Sequence, residues 1–279
     1  MERIMDIMLI SSIIGIGGLG LFFGAGLAYA SRKFAVEVDP KIEEIIEHLP
    51  GANCGACGYP GCSGYAEAVV KSGAKANLCT PGGQSVADQV AAILGIESVA
   101  SGEKMIAVVQ CQGDNEKAPK RYNYAGITNC HAAQIIMGGD KACVYGCLGY
   151  GTCVEACPFH AMKMDDNGLP VVFEDKCTGC GMCVSACPRG IMKLIPVSQK
   201  IFIGCVSQDK GKAVKQVCSV GCTACTLCAN PKTTPSGSIQ MKGNLPEIIN
   251  ITADDLEKAV EKCPANCFVV RDHVMVAVD

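Results

Sequence analysis

Cys177, Cys180, Cys183 and Cys187 are separated by two, two and three residues, and Pro188 follows the last of them. Three thiolates so close together, followed by Cys-Pro, form the bacterial ferredoxin run, in which three cysteines hold one 4Fe-4S cluster and the fourth crosses to a neighbouring cluster. The spacing suits that job because short loops of glycine and small residues can wrap a cube of iron and sulfur with their N–H groups aimed at sulfur. The proline then turns the chain away. A related run lies thirty residues earlier: Cys153-Val154-Glu155-Ala156-Cys157-Pro158 recurs as Cys183-Val184-Ser185-Ala186-Cys187-Pro188, and each copy runs on into a Met-Lys pair, Met162-Lys163 and Met192-Lys193. The crossing rule predicts one cluster on Cys157, Cys177, Cys180 and Cys183 and another on Cys143, Cys147, Cys153 and Cys187. The first copy departs from the pattern, with three and five residues between its leading cysteines. Zinc also takes four thiolates at short paired spacings, but three thiolates two apart followed by Cys-Pro are not its habit, and it carries no electrons.

Two further sets follow the same logic. Cys222, Cys225 and Cys228 are each two residues apart, and a distant Cys263-Pro264 can supply a fourth ligand, so one cluster is expected on those four. Cys54, Cys57, Cys62 and Cys79 lack a Cys-Pro crossover and make a self-contained site. Taken alone their spacing suits zinc or iron–sulfur; beside three ferredoxin-type sites it reads as iron–sulfur. Four clusters use sixteen of the 21 cysteines, leaving Cys111, Cys130, Cys205, Cys218 and Cys267 as buried small hydrophobes. His48 and His160 lie near predicted clusters and could tune them, although surface or capping roles suit them as well. No Ser/His/Asp set, P-loop or usable nucleotide fingerprint is present, so the chain carries no substrate pocket of its own.

These ligands need a scaffold that aromatic packing cannot supply, since 279 residues hold seven Phe, seven Tyr and no Trp. Staples must replace it: disulfides in a secreted chain, thiolates on metal in a reducing compartment. Ile7 through Ser31 is free of charge and long enough to span a bilayer, which takes roughly 20 residues. Ala28-Tyr29-Ala30 would fit a signal-peptide cleavage site, but the apolar stretch is too long for a signal core and Glu2, Arg3 and Asp6 make no positive leader. Arg32, Lys33 and Lys41 follow the span, which places the C-terminal part in the cytoplasm and the cysteines in a reducing environment. Gly15, Gly17 and Gly20 match G-x-G-x-x-G by accident, with no strand before them. Gly20, Gly24 and Gly26 suit close approach of another membrane helix or ordinary glycine use in such a helix.

Beyond the span, Asp39-Pro40 starts an amphipathic helix with Ile42, Ile45, Ile46 and Leu49 opposite Glu43, Glu44 and Glu47, and Pro50-Gly51 ends it. Helices are predicted over 65–71, 86–94 and 253–261, and a strand over 105–110. The resulting fold class is α+β: one transmembrane helix (1–33), a small helical four-cysteine iron–sulfur domain (34–105), a linker (106–140), a dicluster ferredoxin domain (141–197) and a C-terminal ferredoxin-like domain with one cluster (198–279).

With its N-terminal span, the GANCGACGYPGC…LC module and then ACVYGCLGYGTCVEACPFHAMKM…DKCTGCGMCVSACPRGIMKLIP, the sequence resembles the B-subunit of the Rnf ion-translocating electron-transport complexes over nearly its whole length. The resemblance implies a membrane-anchored polyferredoxin at the cytoplasmic face of the cell (inner) membrane. It would take electrons from reduced soluble ferredoxin and relay them towards a flavin- and NADH-binding subunit, with coupled Na⁺ or H⁺ pumping. Its partners would be the other complex subunits, ferredoxin and the membrane, with no nucleic acid; its cofactors would be four 4Fe-4S clusters, Cys54, Cys57, Cys62 and Cys79 holding the first. Relatives with a further dicluster domain would have Cys-Pro soon after Cys228, where this chain has Ala229-Asn230-Pro231. Two other readings are a polyferredoxin serving a different membrane reductase and a corrinoid-protein partner; the latter leaves the dicluster repeat unexplained.

Overall fold

The computed structural model describes residues 2–34, 39–100 and 102–271, and of residues 2–12 the backbone alone. Two compact units divide between Glu43 and Glu44. The first is dominated by α1, Glu2–Lys33, 32 residues long and so about 48 Å from end to end. Its segment Ile13–Lys33 has a mean hydropathy of 1.8 and buries none of its apolar surface. Leu21, Phe22, Phe23 and Leu27 all stand exposed, and the uncharged run expected to span the membrane lies inside this helix. A helix that is apolar all round and uncovered by protein is suited to lipid.

α2, Pro40–His48, starts at the expected proline. Ile45 and Leu49 are buried, whereas Glu44 and Glu47 face solvent. α3, Gly61–Ser72, and α4, Gly83–Leu94, begin a few residues earlier than the apolar periodicity alone predicts. Gly73 and Gly95, at φ of 65° and 70°, close them by turning the chain left-handed, a conformation glycine enters without a Cβ penalty.

Residues 106–140 differ from the expected linker. β1, Met105–Val109, pairs antiparallel with β4, Met192–Pro196, in the register Met105↔Pro196 to Val109↔Met192. α5, Cys130–Ile135, is capped by the Asn129 carboxamide oxygen, which accepts from the His131 and Ala132 N–H groups. The turn signals that suggested a linker belong to packed turns: Asp114 caps Glu116 and Lys117, and Lys120 bridges to Lys141 across antiparallel backbone.

The remaining elements complete a pattern that occurs twice. In the first half β1 is followed by α5, α6 (Thr152–Glu155), β2 (Met162–Met164), β3 (Pro170–Val172), α7 (Met182–Ser185) and β4, with β1 on β4 and β2 on β3. In the second half β5 (Ile201–Ile203) is followed by α8 (Lys212–Val217), a 3-10 turn (Leu227–Ala229), β6 (Ile239–Lys242), β7 (Leu245–Ile248), α9 (Leu256–Glu261) and β8 (Phe268–Val270). There β5 pairs with β8 and β6 with β7. Strand alternation makes β5 the seam: Phe202 enters the first core beside Ile106 and Met162, while Ile201 and Ile203 enter the second beside Cys222, Leu256 and Phe268. The repeat continues in the backbone, where the Gln110 N–H donates to Ile191 O and the Gly204 N–H to Cys267 O. Gln110 and Gly204 each directly follow the first strand of their half. Ile191 lies four residues after Cys187, and Cys267 four after Cys263.

Candidate iron–sulfur centres

The two short helices after the leading cysteines set the ligand geometry. Gly151 and Gly181, at φ of 72° and 77°, turn the chain into α6 and α7, and two residues later Cys153 and Cys183 point inward, both buried. Thr226, at φ of 62°, turns the chain in the same way into Leu227–Ala229, where Cys228 is half-buried.

Around these turns the cysteines gather at separate hollows. Cys157, Cys177, Cys180 and Cys183 line one of about 310 Å³, with Phe159 and Leu194 as apolar wall. The Ala107 N–H donates to Cys177 Sγ at 3.4 Å and the Ala161 N–H to Cys157 Sγ at 3.4 Å. Gly179 sits between two of these cysteines at φ of 69°, and a Cβ there would lie 2.5 Å from Met105 O. Gly179→Ala should therefore cost more than about 2 kcal/mol, from positive φ and from overlap with β1. Gly190→Ala, also at positive φ but in open space, should cost about 1 kcal/mol. Anaerobic thermal unfolding of the two variants provides the comparison, and equal losses would contradict it.

The hollow at Cys153 and Cys187 encloses about 400 Å³ and is lined by Cys130, Cys147, Cys153 and Cys187. Cys143, expected there from spacing, is buried elsewhere, and Cys130 stands in its place. The cause is local. Three residues between Cys143 and Cys147, in place of two, let the loop turn so that its two thiols serve different hollows, and α5 brings Cys130 in from the segment expected as linker. The Cys130 N–H donates to Thr152 Oγ1 at 2.8 Å, and His131 Nε2 meets Ala186 O at 3.0 Å. Arg189 clamps the arrangement, donating to Gln134 Oε1, Cys143 O, Gly146 O and Gly138 O. Nearby, the wholly buried Lys141 ammonium donates to Asp114 O at 2.9 Å and lies within electrostatic reach of Cys111 and Cys147. A buried cation there would offset the negative charge of a thiolate-ligated cluster.

In the second half, Cys222, Cys225, Cys228, Cys263 and Cys267 line a hollow of about 330 Å³. Cys263 Sγ and Cys267 Sγ are 3.3 Å apart. Hydrogen bonding among the three thiols lowers the Cys263 and Cys222 pKa values and raises that of Cys267. Cys267 also occupies the position equivalent to Ile191, an apolar core site in the first half.

Cys54, Cys57, Cys62 and Cys79 are half-buried, the first two in the loop before α3, Cys62 in its first turn and Cys79 beyond its end, with the first three within electrostatic reach of Cys79. The Cys62 N–H donates to Asn53 Oδ1 at 2.8 Å. The Tyr65 hydroxyl donates to Lys75 O at 2.8 Å and accepts from the Leu78 N–H, tying the Cys79 segment to α3. Burial raises the Cys79 pKa, and Cys62, Cys54 and Cys57 add to the rise.

The donor chemistry fits iron–sulfur clusters. Burial pushes Cys147, Cys183 and Cys228 up to about 12, 12 and 11, with neighbouring cysteines adding to the effect. A polycationic core relieves such crowding, because metal coordination takes the thiol as thiolate and releases its proton. Among the described residues no three His, Cys, Asp or Glu side chains converge on a single-ion site; zinc would hold its thiolates about 4 Å from one another.

The family comparisons agree with this chemistry. Residues 49–81 match the FeS cluster family, and residues 142–192 match the family described as 4Fe-4S dicluster domain. The ion-translocating oxidoreductase complex B-subunit of Methanosarcina acetivorans is 43% identical over 96% of this chain and 100% of that protein. This chain belongs to the Rnf B-subunit family. Other members include the B-subunit of the proton-translocating ferredoxin:NAD(+) oxidoreductase complex of Clostridium ljungdahlii, 48% identical over 80% of this chain and 76% of that protein. The Na(+)-translocating counterpart of Acetobacterium woodii is 43% identical over 90% and 75%. Family membership accounts for the iron–sulfur modules and for an apolar helix ahead of them.

Proposed function

We propose that this chain is the electron-relay subunit of a membrane ferredoxin:NAD⁺ oxidoreductase complex, receiving electrons from reduced ferredoxin and passing them towards a flavin- and NADH-binding subunit as Na⁺ or H⁺ is translocated. The observation that carries the reading is the set of cysteine-lined hollows in one compact unit, in a chain of this family. A 4Fe-4S cluster supplies one-electron transfer at low potential, tuned by charge and hydrogen bonding around its sulfurs. The residues supply the rest. Cys54, Cys57, Cys62 and Cys79 hold one cluster; Cys157, Cys177, Cys180 and Cys183 a second; Cys130, Cys147, Cys153 and Cys187 a third; and Cys222, Cys225, Cys228 and Cys263 a fourth. Cys267 stays outside the ligand set, with its sulfur 3.3 Å from Cys263 Sγ. The two halves of the main unit are ferredoxin-like, and α1 anchors them to the cytoplasmic face of the cell membrane by a single pass.

Neighbouring sites make electrical sense of the fold. The Cys180 thiol, raised first by burial, also feels Cys54, and Cys183, raised likewise, feels Cys153. Adjacent sites therefore run from the four-cysteine domain into the first half of the repeat.

Two measurements test the reading. Adding reduced ferredoxin to the anaerobically purified full chain should bleach its visible absorption, and the chain should hold at least about 16 irons, four per cluster. Stoichiometric zinc with little iron would refute it. The chain should also stay in the membrane after a high-salt wash, whereas a soluble product would mean that α1 is a cleaved leader.

A further inference from the structure

Cys111, Cys143, Cys205 and Cys218 come from four separated segments, and no short spacing joins them. They nevertheless line one hollow of about 380 Å³, larger than the one around Cys157 and Cys177. All four are free thiols. Glycines form much of the wall: a Cβ at Gly113 would lie 3.3 Å from Cys218 Sγ, and one at Gly146 would lie 3.6 Å from Cys143 Sγ.

The two halves of the repeat contribute equally. Cys111 lies two residues beyond β1, and Cys205 two beyond β5. Cys143 precedes Cys147 by four residues, and Cys218 precedes Cys222 by four. The hydrogen bonds match as well: the Cys147 N–H donates to Cys111 Sγ and the Cys222 N–H to Cys205 Sγ, each at 3.4 Å. A further N–H, from Ser207, reaches Cys205 Sγ at 3.5 Å. Four thiols that merely filled space would have no reason to repeat position and hydrogen bond in both halves. Backbone donors aimed at sulfur are what a cluster's thiolates require.

We propose that Cys111, Cys143, Cys205 and Cys218 hold a fifth 4Fe-4S cluster between the two halves, linking the Cys147 site to the Cys222 site. The placement is direct, because one backbone hydrogen bond joins this site to a ligand of each neighbour. It completes a line of sites from Cys54 through Cys180, Cys153 and Cys111 to Cys222. Without it the second half would stand apart from the relay. The inference rests on the iron–sulfur reading of the other sites.

The test uses the full chain, purified anaerobically as for the relay measurement, with iron and acid-labile sulfide counted. The expected content is about 20 irons, four per cluster. Cys205→Ala and Cys218→Ala should each lose about four, and the double variant should lose four and not eight. In the unsubstituted chain all four thiols should resist alkylation and become reactive together once iron is chelated, a readout that does not depend on any variant folding. About 16 irons, unchanged by either substitution, would overturn the fifth site and leave the other four intact, as would alkylation of Cys218 in the loaded chain. Little iron in any form of the chain would overturn the iron–sulfur reading as a whole.

Discussion

Cys187→Ala should empty the site of Cys130, Cys147 and Cys153 and leave that of Cys177, Cys180 and Cys183 loaded, although Cys187 belongs to the second run. Its thiol lines the first hollow and not the second. Double substitutions give the discriminating measurement, because two ligands of one site fail together whereas ligands of two sites fail independently. Cys130→Ala combined with Cys187→Ala should cost about four irons, the same as either alone. Cys143→Ala combined with Cys187→Ala should cost about eight. If Cys143→Ala alone loses four and the second pair also loses only four, Cys143 and Cys187 share a site and the placement of Cys130 is wrong; if Cys143→Ala alone loses none, Cys143 holds no cluster and the placement of Cys130 stands. Spectra of the reduced protein should agree, with the signal of the Cys177 site surviving in every one of these variants.

Arg189→Ala is the second large effect. The guanidinium satisfies four acceptors on three segments: the Gln134 carboxamide at 2.8 Å, Cys143 O at 2.9 Å, Gly146 O at 2.5 Å, and Gly138 O. Hydrogen bonds from a charged donor contribute more than neutral ones, and half-buried carbonyls left without a partner add their own cost, so the loss should be about 4 kcal/mol. Arg189→Lys should recover less than half of it, because a single ammonium cannot reach acceptors arranged around a planar fork. The penalty falls on the segments that carry Cys130, Cys143 and Cys147. Iron release to a chelator should accelerate by up to about a thousandfold from those sites if local opening gates it. Release from the Cys157 and Cys222 sites should be unchanged. Uniform loss from every site would show that Arg189 supports the fold in general.

Much of this was legible in the sequence, for identifiable reasons. Cys177-x2-Cys180-x2-Cys183-x3-Cys187-Pro188 carries its geometry locally, and the recurrence at Cys153 announced a repeated unit. α2 followed from Pro40 and a regular apolar face, and α1 from the absence of charge. What escaped depends on contacts distant along the chain. Cys130 is brought in by α5 from a segment whose turns resembled a linker, and β1 could be read as a strand but not as the partner of β4. Cys111 and Cys205 are paired by the repeat alone. One trace was present and went unread: Cys143 and Cys147 are spaced like Cys218 and Cys222, which sets the proposed fifth site beside the departure from ferredoxin spacing.

The equivalence of the two halves bears on how such a chain could arise. A centre built from the same two thiolates of each half is what a homodimer of single ferredoxin units would place across its isologous interface, where one patch meets its own copy. Covalent fusion converts that association into an intramolecular one, with an effective concentration set by the short connection between β4 and β5. Loading of the shared centre then no longer depends on how many copies the cell makes. The halves also become free to differ, and only the first carries a second closely spaced cysteine triplet, Cys177, Cys180 and Cys183.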